Sequence, residues 1–245
     1  MDDADIAELF APIDPSKAFG VVLREAQDVL SHIHGPVDAE LWGSDMIGAL
    51  ASDAAGAPEV MAVLATAIVP AAEESGTPEA LALLRIFGAI GSAELRSAAT
   101  EAAGRVVAAG VPDPGWAAMI GAPAVEKCWH YSDVGGRQES VTATFAYGDD
   151  EHALSVLIDH GTGGGLKDVW VGDARGLLDK TWLAAEADPL VVFETIDAAN
   201  ARERLEQAIN AGEYPDKPDQ ADDLTAHRAL LLARVRLLAE TAAQE

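Results

Sequence analysis

The chain has 245 residues, is 49% hydrophobic but only 5% aromatic, and carries a formal net charge of −25. A chain this long can bury roughly 70–75% of its unfolded surface without staples, and its apolar content excludes a disordered polymer. The charge is spread, −13 over residues 1–120 and −12 over 121–245, so the surface repels phosphate backbones and anionic lipid. Direct nucleic-acid and membrane binding are therefore not expected; the charge reads first as a solubility surface, and as the sharper alternative it suits a basic protein partner or mimics nucleic acid.

The alanine-rich first half reads as helices. Pro15-Ser16-Lys17 opens a segment with Phe19, Val22, Leu23, Ala26 and Leu30 on one face, and Gly35-Pro36 closes it. A second helix is predicted over Asp38 to Ala51, and a third over Pro58 to Val69, stopped by Pro70. Thr77-Pro78-Glu79 combines a capping hydroxyl, a first-turn proline and an acid at the positive end of the dipole. That helix carries Leu81, Leu83, Leu84 and Phe87, and Ser92 can cap another reaching about Ala109. No residue pattern repeats, so a compact bundle is expected rather than a solenoid. Prolines and glycines over 111–124 mark a boundary, giving a helical domain over 1–115 and an α+β domain over 124–245.

Beyond the boundary the period changes from helical to two. Val141, Ala143, Phe145 and Tyr147 share one side of a strand, with Thr142 and Thr144 opposite. A turn over Gly148 to Glu151 leads to a return strand with Leu154, Val156 and Ile158 on one face. A third strand is predicted from about Asp168 to Val171, a helix from Leu177 to Ala187, and a fourth strand at Leu190 to Phe193. Asp197 can cap a helix through Asn210 ended by Gly212, and Glu213 to Asp223 reads as an exposed connector. A last helix from about Leu224 to Ala242 is apolar around most of its circumference and must be buried, against its own chain or in a homo-oligomer contact through residues 224–242. The predicted fold class is α+β: an N-terminal helical bundle followed by a small antiparallel sheet of about four strands with packed helices.

Four places carry reactive groups. Asp159, His160 and Asp168 flank the glycine run Gly161 to Gly165, where hairpin geometry brings flanking residues about 5 Å apart at Cβ. An imidazole with two carboxylates suits one divalent metal or a general base, and Glu194 can join if its strand lies alongside. The alternative is a surface ion pair beside a loop. His152 is excluded from that site, because eight strand residues hold it roughly 26 Å from His160. The glycine run with Lys167 fails the phosphate-loop spacing, since Leu166 intervenes and Asp168 takes the hydroxyl position. It reads as a loop needing positive φ. His32-x-His34 follows a helical pattern and suits a helix C-terminus better than a metal. Cys128 and His130 would share a face on a strand, but nothing nearby orients them, so Cys128 reads as a buried structural thiol and Trp129 and Tyr131 as packing. Asp149-Asp150-Glu151 is too short for a calcium loop.

The lone cysteine precludes an intramolecular disulfide, and the start Met-Asp-Asp-Ala-Asp lacks the basic and apolar parts of a signal peptide. A cytoplasmic location follows as an expectation, as does the absence of a cofactor. With no complete catalytic set, the sequence favours a non-catalytic acidic protein that binds another protein as a regulatory or adaptor subunit. A metal-dependent hydrolase at Asp159, His160 and Asp168 is the alternative, and an acidic nucleic-acid mimic that binds a basic protein is the second.

Overall fold

A computed structural model describes residues 20, 23, 26, 32–53, 57–188 and 190–243. Of the first expected helix, therefore, only Gly20, Leu23 and Ala26 lie among the described residues. His32 and His34 follow in an exposed turn just before the helix α1 (Pro36–Asp53). Then come α2 (Ala57–Val63), a π turn at Leu64–Ile68, α3 (Val69–Ser75), α4 (Pro78–Ile90) and α5 (Ala93–Ala108). The second half contains β1 (Ala124–Asp133), β2 (Gln138–Tyr147), β3 (Asp150–Asp159), β4 (Gly165–Asp173), α6 (Ala174–Ala187), β5 (Val191–Ile196), α7 (Ala198–Ala211) and α8 (Pro218–Ala242). The architecture is α+β, with helices preceding a five-stranded antiparallel sheet in the order β4-β3-β2-β1-β5.

The caps form where the sequence places them. The Thr77 hydroxyl accepts from Ala80 N–H at 3.2 Å, the Ser92 hydroxyl from Leu95 N–H at 3.3 Å, and Asp197 from Asn200 N–H at 2.7 Å. Pro70 does not stop its helix. The Val69 N–H reaches back to the Leu64 carbonyl, the spacing of a π turn, and this wider turn lets the chain continue past the ring. The last helix starts at Pro218, inside the stretch expected to be a connector, because proline at the first turn sacrifices no hydrogen bond.

Five strands form rather than about four. The extra one is β1, whose alternation is interrupted by a bulge: Val125 pairs with Phe145 and Cys128 with Ala143, so Glu126 and Lys127 together oppose Thr144. The Thr144 hydroxyl accepts from the Lys127 N–H at 3.3 Å and repairs part of the broken ladder. Between β2 and β3, Tyr147 faces Asp150, so the turn is only Gly148-Asp149. Gly148 has φ 63° while Asp149 does not have positive φ, the type II′ pattern.

Two apolar cores result. One lies among the helices and includes Leu64, Leu81, Leu84, Phe87 and Leu95. The other lies between one sheet face and α7–α8 and includes Val141, Phe145, Leu154, Val156 and Leu205. Helix α8 joins them, giving Ala229, Leu230 and Ala233 to the first and Leu224, Leu231, Val235 and Leu238 to the second. It approaches α1 at Gly48, where a Cβ would lie 2.2 Å from the Thr225 carbonyl oxygen. The apolar circumference of α8 is thus consumed largely within its own chain, with Leu232 left exposed. Among the described residues no helix is long and apolar enough to cross a membrane.

Candidate functional site

The glycine loop closes as a single 3₁₀ turn, His160–Thr162, followed by Gly163 (φ 112°) and Gly164 (φ 83°). Its three flanking candidates engage different partners. Asp159 accepts from the Lys167 ammonium at 2.8 Å, from Gln138 at 3.1 Å and from Gly161 N–H at 2.8 Å. Those donors, Lys167 first, pull its carboxyl down to about 2. Lys167 also meets Asp216 at 2.5 Å, so the ammonium is clamped between two carboxylates. Asp168 accepts from Val169 N–H at 2.8 Å. Burial and then the neighbouring Asp223 and Asp219 raise its carboxyl above the ordinary range. His160, its side chain 45% exposed, turns to Glu139 instead, with Nε2 3.0 Å from Oε1.

Glu139 is the hub of a polar knot the sequence reading did not single out. Its Oε2 lies 2.7 Å from His130 Nε2 and accepts from Arg204 Nη1 at 2.6 Å. His130 Nδ1 is 3.4 Å from Glu194, which the pairing of β5 with β1 sets opposite His130 and not beside the glycine loop. Burial alone would raise the Glu139 carboxyl, but the bonds from His130 and His160 and the charge of Arg204 outweigh it and hold the group below its ordinary value. A carboxylate held ionised by three donors is a weak base. Cys128 lies in the sheet core on the same face as His130, and its strand neighbour Trp129 faces the other way. Among the described residues no group of three or more His, Cys, Asp or Glu side chains is arranged to hold a metal ion.

A second polar cluster pins the sheet to the helices. Arg234 of α8 is 1% exposed, and its Nη2 donates to Glu40 Oε2 at 2.5 Å and to His152 Nε2 at 2.9 Å. Glu40 Oε1 also accepts from the Tyr147 hydroxyl at 2.9 Å and from Gly121 N–H at 3.2 Å. The guanidinium sits 5.1 Å from the Phe145 ring centroid. His152 is therefore a core residue held from α8, not a partner of His160. Burial first, then the Glu40 charge, raise the Tyr147 phenol above its ordinary value. This cluster fixes tertiary structure and is closed to a ligand.

Two open clefts of about 510 and 670 Å³ adjoin α8 and share Met61, Arg228 and Leu232, with Arg228 paired to Glu213. The strongest departure from an ordinary surface lies elsewhere. Trp182 and Leu183 of α6, with Leu190 and Val192 at β5, are 55%, 65%, 63% and 43% exposed. Trp182 meets Phe193 edge-on with ring centroids 5.8 Å apart, so α6 packs on the Phe193 face of β5, while Val192 turns to the opposite face at the same edge. No known protein family, curated protein or solved structure matches the chain.

Proposed function

We propose that this chain is a non-catalytic protein-binding protein, a regulatory or adaptor subunit, that engages its partner through α6 and β5. The observation that carries this reading is the run of large exposed apolar side chains Trp182, Leu183, Leu190 and Val192. They gather along the β5 edge of the sheet, Trp182 on the Phe193 face and Val192 on the other, and such gathering favours an interface, whereas scattered side chains are ordinary. The spread net charge of −25 adds that the partner is basic.

The hydrolase reading draws less support from the geometry. Asp159, His160 and Asp168 are each engaged by a different group, and Glu139 is held by three donors. Nucleic-acid mimicry shares the charge argument but leaves the apolar surface without a role.

The test is site-specific photo-crosslinking. A benzophenone side chain at Leu183 should form a discrete adduct with one other protein in the source cell, and one at exposed Glu101 of α5 should not. The identified protein, once purified, should bind the wild type and lose at least tenfold in affinity for Trp182→Ala/Leu183→Ser. Equal labelling at both positions, or equal binding by the double variant, would remove the proposal.

A further inference from the structure

The two edges of the sheet are treated differently. At β4 the chain closes the start of its own edge, at Leu166, whose N–H donates to Gly212 O at 2.8 Å and whose carbonyl accepts from Tyr214 N–H at 2.7 Å. This closure needs a glycine at 165, since a Cβ there would lie 2.5 Å from both the Gly212 oxygen and the Tyr214 ring. At the other edge, among the described residues, β5 pairs only with β1. Val134 N–H donates to Leu190 O at 2.8 Å, which sets the phase of that ladder. By alternation, Val192, Glu194 and Ile196 turn their backbone groups toward β1, and Val191, Phe193 and Thr195 turn theirs outward. Val191 N–H is used by Asp188 O at 3.1 Å. Phe193 and Thr195 thus present both N–H and C=O to an unoccupied edge, and among the described residues none pairs with them there. Val191–Ile196 lacks a lysine, a proline or a bulge, three usual protections of an edge, and its one charge is the exposed Glu194.

We propose that β5 takes up an extended cationic segment of the partner as a sixth strand. This deepens the protein-binding reading and rests on it. The open ladder supplies main-chain hydrogen bonds, and alternate side chains supply selectivity. On one face an incoming strand meets the Phe193–Trp182 aromatic pair, and on the other it runs beside Val192 and Glu194. Charge decides between occupants. Residues 179–197 hold Asp179, Glu186, Asp188, Glu194 and Asp197 against Lys180 alone. A second copy would bring the same acids and another −25 to the contact, whereas a lysine-bearing strand is attracted.

The probe is the fluorescent peptide Lys-Val-Lys-Val-Lys-Val-Lys, read by anisotropy, with amide exchange followed by NMR. Binding should slow exchange at Phe193 and Thr195, weaken as salt is raised from 50 to 300 mM because screening shortens the reach of the charges, and vanish for Glu-Val-Glu-Val-Glu-Val-Glu. Thr195→Pro should reduce affinity at least tenfold with the melting temperature retained, because its N–H faces outward and proline is tolerated on such an edge. If that variant misfolds, the same peptide with N-methylated valines asks the question from the other side. No binding by the lysine peptide overturns strand addition. Binding that neither Thr195→Pro nor N-methylation weakens, with no protection at Phe193, also overturns it and leaves charge attraction only. Self-association abolished by Thr195→Pro would make the occupant a second copy, against the proposal. A partner adduct at Leu183 that survives Thr195→Pro preserves the protein-binding reading while strand addition fails; equal labelling from Leu183 and Glu101 in the wild type removes both.

Discussion

His152 offers a sharp test of how the sheet is fastened to the helices. Its ring is stacked between Phe145 and Tyr147, with centroids 5.6 and 5.9 Å away, and its Nε2 accepts from Arg234. The neutral ring must therefore carry its proton on Nδ1, which is buried without a partner among the described residues. Burial first, and the Arg234 charge second, depress the imidazole from 6.5 to about 3. The unfolded chain gains a proton at this residue as pH falls through 6.5, and the native chain does not until about 3. Stability is thus unaffected by His152 above pH 6.5 and declines as pH drops below it. At 1.36 kcal/mol per unit, the cost at pH 5 is about 2 kcal/mol relative to pH 8, with a limit on the order of 5 kcal/mol near pH 3. Urea unfolding of wild type and His152→Gln at pH 8 and pH 5 isolates this contribution, because carboxylates and the other histidines cancel in the difference. Wild type should lose about 2 kcal/mol more than the variant over that interval. The His152 ring protons should not titrate in NMR spectra between pH 8 and 5. Parallel pH curves for the two proteins, or a ring that titrates near 6.5, would refute the placement of His152 beneath Arg234.

Other consequences can be measured in the same way. Arg234→Met strands the buried Glu40 carboxylate and should cost about 3–5 kcal/mol in urea unfolding, while Glu40→Leu/Arg234→Met should recover much of that loss. Gly48→Ala drives a methyl into the Thr225 carbonyl and should cost about 1–3 kcal/mol by prying α8 from α1, with protection from amide exchange falling along both helices. Lys167→Met removes the main donor to Asp159, so carboxyl NMR should show the Asp159 titration moving up from about 2 toward the ordinary 3.8. In the wild type this pair contributes stability fully above pH 3.8 that is lost as pH falls toward 2, and the variant should lack that dependence.

Local signals made much of the fold legible. Thr77-Pro78-Glu79, Ser92 and Asp197 act through residues three positions away, and period two in Val141–Tyr147 needs no knowledge of the partner strand. What failed locally was β1, where a two-residue bulge reverses the alternation at Glu126-Lys127, and Pro70, where a preceding π turn absorbs the ring. The polar clusters escaped for a different reason. Glu40 and Arg234 stand 194 residues apart, and Glu139 and Arg204 are separated by 65. An arginine inside the leucine-rich run of α8 was the one visible sign that a buried anion had to meet it. At the glycine loop each of Asp159, His160 and Asp168 has a different partner, supplied in turn by β4, β2 and the backbone of β4 itself, which the loop's sequence does not reveal.

The contrast between α6 and α8 carries the functional argument. Both helices hold clustered large apolar residues, and periodicity states only that such residues want cover, not where the cover is. For α8 the cover is internal, because it lies between two cores and gives side chains to each. For α6, Phe193 covers one edge of Trp182, yet Trp182 and Leu183 remain mostly in water beside the open strand. At roughly 25 cal/mol per Å², burying apolar surface of this kind against a partner contributes a few kcal/mol before the cost of association. Main-chain bonds at the outer edge of a strand already paired to β1 add to that. The exposed helix residues and the unpaired strand are adjacent, so one extended segment can satisfy both.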